Sequence, residues 1–270
     1  MVFFILCLLL VALQSAFACP EHVSPADGKS FNKRIAIDQD WSYDKSYDWG
    51  KVNPNYFLCQ IGTTQSPIRL SLNPGLSRRH PPNFSDSYSS VTGSLYNWGY
   101  GAAFTLDELN ITARPSLTFD DTTLYLKGWH IHSPADHSVG DFRARCELHL
   151  VHSYANGEEA GVIAILIDPG LSQSEFFSQF TSTGNIPSYN SDEHIPLALN
   201  IALAISEVGG FHEFWTYSGS LTSPPCTEGI RFWVGRRTLF VSTPQLQELL
   251  RVSTFSARPE QNVWAHEINI

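Results

Sequence analysis

The sequence predicts a single β-rich domain, mainly β within the α+β class, carrying a few short helices on its outside. Three observations point there. Apolar or alternating runs recur along the chain with Gly, Pro, Asn and Asp between them, which is how strands and their turns read. Aromatic residues make up 13% and Met occurs once, at position 1, so rigid side chains dominate the interior. Hydrophobic residues at 43% against charged residues at 16% exclude a disordered chain and a coiled coil.

The chain opens on Met1–Leu13, almost wholly apolar, followed by Gln14, Ser15 and Ala16-Phe17-Ala18. An apolar run too short to span a bilayer, ending in a small-x-small site, predicts a secretory leader over 1–18 and a mature domain over 19–270. No later segment has transmembrane length, and the terminal VWAHEINI carries no lipid-anchor signal. The expectation is a secreted, extracellular protein with no membrane anchor. Residues 20–60, rich in Asp, Trp, Tyr and Asn with little periodicity, predict a segment that wraps a core.

Strands are expected over Ser94–Tyr96, Ala103–Leu106, Thr123–His132, Cys146–Tyr154, Gly161–Ile167 and Ile230–Val234. Turn signals separate them at Asn97-Trp98-Gly99, Asp120-Asp121, Asn156-Gly157 and Asp168-Pro169-Gly170. Two short helices follow. Ser172 caps the first over 172–180, with Glu175 three residues on. Thr243 caps the second over 244–252, just before a first-turn Pro. The sequons Asn83-Phe84-Ser85 and Asn110-Ile111-Thr112 predict glycans at Asn83 and Asn110 behind a leader. Cys7 departs with the leader, and Cys19, Cys59, Cys146 and Cys226 allow three full disulfide connectivities. Lys plus Arg number 17 against 26 Asp plus Glu, a net charge of -9, so the basic footprint of a nucleic-acid binder is missing.

Five of the ten His fall between 130 and 152. On a strand, His130 and His132 point the same way. In Cys146–His152, residues Glu147, His149 and Val151 share one face and Cys146, Leu148, Leu150 and His152 the other. If these strands are antiparallel neighbours, three imidazoles converge. Three neutral imidazoles suit zinc and leave a fourth position for water, the arrangement of a catalytic rather than a structural site. The same residues could instead be separate, hydrogen-bonded core histidines. His22, His80, His194, His212 and His266 lack metal spacing.

At these residues the chain resembles the α-class carbonic anhydrases. Trp41-Ser42-Tyr43 with Asp48-Trp49-Gly50 resembles the family's N-terminal signature. Gln65-Ser66-Pro67-Ile68 resembles its QSPI motif. His130-x-His132 with Ser133–His137, then Glu147–His152, resemble its HxHxPSEH and ELHLVH blocks. Tyr217–Glu228 resembles YxGSLTTPPCTE. The resemblance covers roughly residues 41–240. It implies a central, mostly antiparallel twisted sheet of about ten strands, and the reversible hydration of carbon dioxide to bicarbonate and a proton through zinc-bound hydroxide.

Carried over residue by residue, the resemblance makes His130, His132 and His149 the zinc ligands. Thr222 and Asp136 become the pair that orients the hydroxide, and Glu147 the acceptor behind His149. His137 becomes a structural histidine beside the site, Tyr43 and Tyr217 cleft and network tyrosines. Val151, Val162, Leu221, Ile230 and Phe232, the last where the family usually has Trp, line the carbon dioxide pocket with Ser223. Cys59 and Cys226 match a disulfide pair, leaving Cys146 a buried free thiol.

Three departures stand out. Asp136 replaces a Glu and is shorter by one methylene, roughly 1.5 Å of reach, enough to break a hydrogen bond unless the backbone moves closer or a water bridges. Gly128 stands where a Gln often supports the first ligand. No His lies near Tyr100–Ala103, where the family's proton shuttle falls, which predicts slow proton export. These departures motivate an alternative: a zinc-binding, catalytically weak carbonic anhydrase-like binding protein.

Overall fold

The computed structural model describes residues 40–182, 184 and 186–270. The expected leader and Cys19 lie outside the described residues. The strands, in chain order, are β1 (Arg69–Leu70), β2 (Asn83–Phe84), β3 (Val91–Asn97), β4 (Ala102–Leu106), β5 (Ser116–Phe119), β6 (Thr122–His132) and β7 (Ser138–Val139). There follow β8 (Phe142–Arg143), β9 (Cys146–Ser153), β10 (Glu159–Pro169), β11 (Ile195–Leu199), β12 (Phe214–Ser220), β13 (Glu228–Gly235) and β14 (Leu239–Val241). Eleven of them form one sheet along the path β11-β3-β4-β6-β9-β10-β13-β12, with β5 and β14 paired onto β6 and β10 and β2 onto β5. Only the pairings of β10 with β13 and β14 are parallel in this sheet. The expected mostly antiparallel sheet with peripheral helices is what forms.

Turn chemistry sets the hairpins. Gly99 (φ 93°) and Gly157 (φ 89°) take left-handed conformations at two of the predicted turns, and Asp120 (φ 46°) does so at a third. The fourth expected turn is not one. β10 continues through Pro169, because β14 runs beside it and pairs Pro169 with Val241; proline is tolerated at such a strand end.

A one-residue bulge decides how β6 presents its side chains. Leu126 pairs with His152, but Gly128 pairs with Val151, so Lys127 is extra. Leu124 and Leu126 therefore point into the large core, and beyond the bulge Trp129 and Ile131 do so instead. His130 and His132 are thereby turned to the opposite face. Lys127 Nζ reaches Glu159 Oε1 at 3.0 Å and ties the bulge to β10.

The large core lies on the face away from the histidines, with Trp129 packed between Phe104, Phe176 and Phe180. The helices that cover it include α1 (Glu175–Thr181) and α2 (Thr243–Arg251). Both begin differently from the sequence expectation. Ser174, not Ser172, caps α1, its Oγ accepting from Phe177 N. Ser242, not Thr243, caps α2 through a capping box with Gln245. In each case the helix starts at the serine whose hydroxyl reaches the backbone N–H three residues on.

His152 sits in this core, fully buried, its Nε2 2.6 Å from the Tyr88 hydroxyl. Burial pushes its pKa down to about 3, against partial support from backbone groups of Leu150 and Gly161. The unfolded chain protonates here near pH 6.5, whereas the folded chain does not until about pH 3. Stability is therefore intact above the unfolded value and lost as pH falls through that window, by up to about 1.4 kcal/mol per pH unit. Urea unfolding at pH 7 and pH 5 should show this loss, smaller by roughly 1–2 kcal/mol in His152→Gln.

Candidate metal centre

β6 and β9 bring the triad together directly. His130 and His149 are cross-strand partners, and His132 follows two residues along the same face. One ring nitrogen from each of the three lies within 4.8 Å of the others. The remaining nitrogens show which atoms are available. His132 Nδ1 donates to the Ser256 carbonyl at 2.7 Å, and His149 Nε2 donates to Glu147 Oε1 at 2.9 Å. That leaves Nε2 of His132 and Nδ1 of His149, while His130 Nε2 stands 3.0 Å from His132 Nε2. Tetrahedral zinc with bonds of about 2.05 Å sets its ligands about 3.3 Å apart, so the three residues fit such an ion. Burial, then the neighbouring His149 and His130, hold the His132 pKa well below the imidazole range, which keeps the lone pair that a metal needs.

Behind the triad lies a buried relay of hydrogen bonds. Glu147 is fully buried; its Oε2 accepts from His137 N at 2.7 Å and its Oε1 faces His137 Nδ1 at 2.6 Å. Burial alone would raise its pKa, but the His137 ring and the hydrogen bonds from His137 and His149 outweigh that, and Glu147 stays ionised well below the carboxylate range. His137 Nε2 meets the Tyr217 hydroxyl at 2.7 Å, and that hydroxyl donates to Ser66 Oγ at 3.0 Å. Both ring nitrogens of His137 are thus engaged, and it stands beside the triad rather than in it. A second grouping of His137, Glu147 and His149 is held by these hydrogen bonds.

Thr222 and Asp136 lie side by side without meeting strict hydrogen-bond geometry. Asp136 Oδ1 accepts from Arg258 N at 2.9 Å, whereas the buried Oδ2 has no hydrogen-bond partner. Burial, foremost, raises the Asp136 pKa, and the nearby Thr222 hydroxyl and Arg258 backbone oppose that rise. Thr222 is close enough to lower the Asp136 pKa, and His132 Nδ1 lies 3.5 Å from Asp136 Oδ2.

The loop that carries Thr222 is fastened at several points. Cys226 is bonded to Cys59. Gln65 Nε2 donates to the Cys226 carbonyl at 3.1 Å, and Ser66 and Ser220 exchange N–H-to-hydroxyl bonds at 2.9 and 3.0 Å. Val151, Val162, Leu221, Ile230 and Phe232 form one buried cluster with Tyr217, and Ser223 is buried too. Tyr43 is buried, its ring edge-on to His132 at 6.0 Å. Cys146 is the buried free thiol expected, its pKa raised to about 11 by burial. Asn83 and Asn110 are both exposed.

Three contributors escaped sequence reasoning. Ser256 acts through its carbonyl, which no side-chain pattern reveals. Arg258 is buried, donating to the carbonyls of Ser66 at 2.7 Å and Cys59 at 3.0 Å over the face of Trp49. Burial lowers its pKa to about 10; a fully buried Arg needs such partners, but nothing in its spacing announces one. Trp98 read only as a turn residue, yet its ring lies 5.1 Å from His130 and 5.4 Å from His132.

Residues 44–267 match the family model described as eukaryotic-type carbonic anhydrase. The chain is 30% identical to alpha carbonic anhydrase 4 of Arabidopsis thaliana over 82% of each protein. It is 31% identical to dioscorin DB3S of Dioscorea polystachya, over 74% of this chain and 71% of that one. Among solved structures, the Photobacterium profundum alpha-carbonic anhydrase superposes with a TM-score of 0.71 at 28% identity, covering 84% of this chain and 99% of that one.

Purified protein should bind one zinc per chain, and His149→Ala should bind none. Glu147→Gln should weaken zinc affinity by roughly 10–100-fold, because a neutral amide no longer fixes His149 in the tautomer that frees Nδ1. Competition with a chromophoric chelator measures both; an unchanged affinity in Glu147→Gln would contradict this account.

Proposed function

The chain belongs to the eukaryotic-type carbonic anhydrase family and catalyses the reversible hydration of carbon dioxide, and we propose that His130, His132 and His149 hold a zinc ion that serves this reaction. The observation that carries the assignment is the convergence of three imidazoles, two of which, His132 and His149, have their other nitrogen already committed and so turn one lone pair toward the common point. Bound there, zinc supplies the Lewis acidity that makes hydroxide available near neutral pH.

The remaining steps belong to the protein. Val151, Val162, Leu221, Ile230 and Phe232 offer an apolar surface on which carbon dioxide rests without being trapped. Glu147, anchored by His137, Tyr217 and Ser66, holds the His149 ring in orientation. Thr222 presents a hydroxyl whose lone pairs orient the nucleophile when its own proton goes to a carboxylate. Asp136 Oδ2 is that carboxylate oxygen, buried, with no hydrogen bond of its own and 3.5 Å from His132 Nδ1. A proton must then leave. Tyr100 stands at the shuttle position with a pKa raised to about 12, first by burial and then by Asp44, so it keeps its proton at neutral pH. Export therefore relies on water and buffer.

The Asp136 geometry also favours a second reading, a zinc-binding protein with weak catalysis, and the same measurement decides between them. Stopped-flow hydration of carbon dioxide should give a rate above a zinc-free control, and Thr222→Ala should reduce kcat/KM at least tenfold. Asp136→Glu restores the reach to Thr222 and should raise kcat/KM by roughly tenfold, equivalent to about 1.4 kcal/mol from one charge-assisted hydrogen bond.

Among the described residues no helix is long and apolar enough to cross a membrane, and the Cys59–Cys226 disulfide fits an oxidising compartment. These support secretion with a leader over 1–18, a mature domain over 19–270, and glycans on the exposed Asn83 and Asn110. Expression of the full chain in a secreting eukaryotic host should yield medium protein whose N-terminus lies near Cys19. Its mass should fall on glycosidase treatment; protein retained in the cell with its leader intact would contradict the assignment.

A further inference from the structure

We propose that His266 is a positioning residue for the hydration reaction: it fixes the Gln65 carbonyl and braces Tyr217, and through them holds the loop that carries Thr222. The inference rests on Thr222 orienting the nucleophile as proposed above. His266 stands apart from the triad, on the segment 261–270, and is 1% exposed. Its two ring nitrogens have opposite duties. Nδ1 accepts from Trp264 N at 3.1 Å, so the proton sits on Nε2, which donates to the Gln65 carbonyl at 2.8 Å. The backbone around the ring is tied down on both sides. Gln261 N donates to the Pro67 carbonyl at 2.8 Å, Ser218 N to the His266 carbonyl at 2.8 Å, and Asn269 N to the Thr216 carbonyl at 2.7 Å. The ring is thereby held between residues 65–67 and β12.

Both of these neighbours lead to Thr222. Residues 65 and 66 grip its loop at each end. Ser66 exchanges hydrogen bonds with Ser220, just before the loop, and Gln65 Nε2 donates to the Cys226 carbonyl at 3.1 Å, near its close. On β12 the Tyr217 ring lies 5.9 Å from His266 and 5.1 Å from Phe232, and its hydroxyl donates to Ser66 Oγ at 3.0 Å. Gly219 leaves no slack between them: a Cβ there would collide with Ser66 Oγ and the Tyr217 ring. Gln65 is itself buried. Losing the Nε2 donor therefore strips a buried carbonyl of its hydrogen bond and releases the peptide that aims the Gln65 amide and the Ser66 hydroxyl at the loop.

Stopped-flow hydration of carbon dioxide on zinc-loaded protein, normalised to bound zinc, tests this with replacements that divide the duties of the ring. His266→Asn sets an oxygen where Nδ1 stood, which still accepts from Trp264 N, but nothing reaches Gln65; kcat/KM should fall by roughly fivefold or more. His266→Gln sets an amide N–H where Nε2 stood and should recover most of that loss. His266→Met fills the space without a donor and should behave as the asparagine variant does, so the test stands if one of the two does not fold. In a Thr222→Ala background, His266→Asn or His266→Met should cost less than about twofold more, because the effect passes through Thr222. Native activity in the donor-less variants, equal losses with and without the donor, or fully multiplicative losses in the double variant would each overturn the role of His266 alone. Unchanged kcat/KM in Thr222→Ala by itself would overturn the Thr222 assignment and this inference with it.

Discussion

A single extra residue in β6 governs what the sheet can do. Were Lys127 paired in register, the alternation that buries Leu124 and Leu126 would continue, and His130 and His132 would point into the large core beside them. Side-chain period in a strand is two, so a slip of one exchanges the faces completely. The bulge uses that rule twice, keeping leucines in the core before it and Trp129 and Ile131 in the core after it. The histidines arrive opposite His149 as a consequence.

Turning three imidazoles and a carboxylate into a buried region creates an electrostatic demand. Glu147 has no Lys or Arg against it; its partners are N–H groups of His137 and His149. An ionised carboxylate held this way pulls protons toward the far nitrogens of its histidines and leaves the lone pairs facing inward. A metal cation at the triad would complete the balance, so that affinity for the ion and stability of the buried charge would rise together. Asp136 follows the opposite logic. Its charge is held by one backbone N–H and by proximity to buried Arg258, and its second oxygen lies near the Thr222 hydroxyl and 3.5 Å from His132 Nδ1.

The sheet strands, the hairpin turns and the triad were legible because each has a local signature: period two, Gly or Asn at a turn, His at i and i+2. The disulfide and the role of Thr222 came only through resemblance, since no local pattern pairs Cys59 with Cys226 across 167 residues. The helix caps were misplaced by one or two residues, because two candidate hydroxyls stood near each start and only backbone geometry selects one. The bulge was invisible: Lys127 has no sequence mark of an unpaired residue. Ser256 and Arg258 were missed for a related reason, since they act through a carbonyl, a backbone N–H and a buried guanidinium.

The Thr222 loop shows why so many distant contacts converge on one small region. Residues 221–227 have no strand or helix ladder of their own, and Cys226 holds a left-handed φ of 58°. Two backbone hydrogen bonds, Leu221 N to Thr227 O at 3.0 Å and Cys226 N to Ser223 O at 2.9 Å, close the segment on itself, and positioning a hydroxyl to within a fraction of an ångström requires further restraints from elsewhere. Gln65, Ser66 and the disulfide provide them from one strand of chain, and Arg258 ties that same stretch, through the carbonyls of Ser66 and Cys59, to the backbone that holds Asp136. Thr222 and Asp136 are therefore mounted on a shared frame.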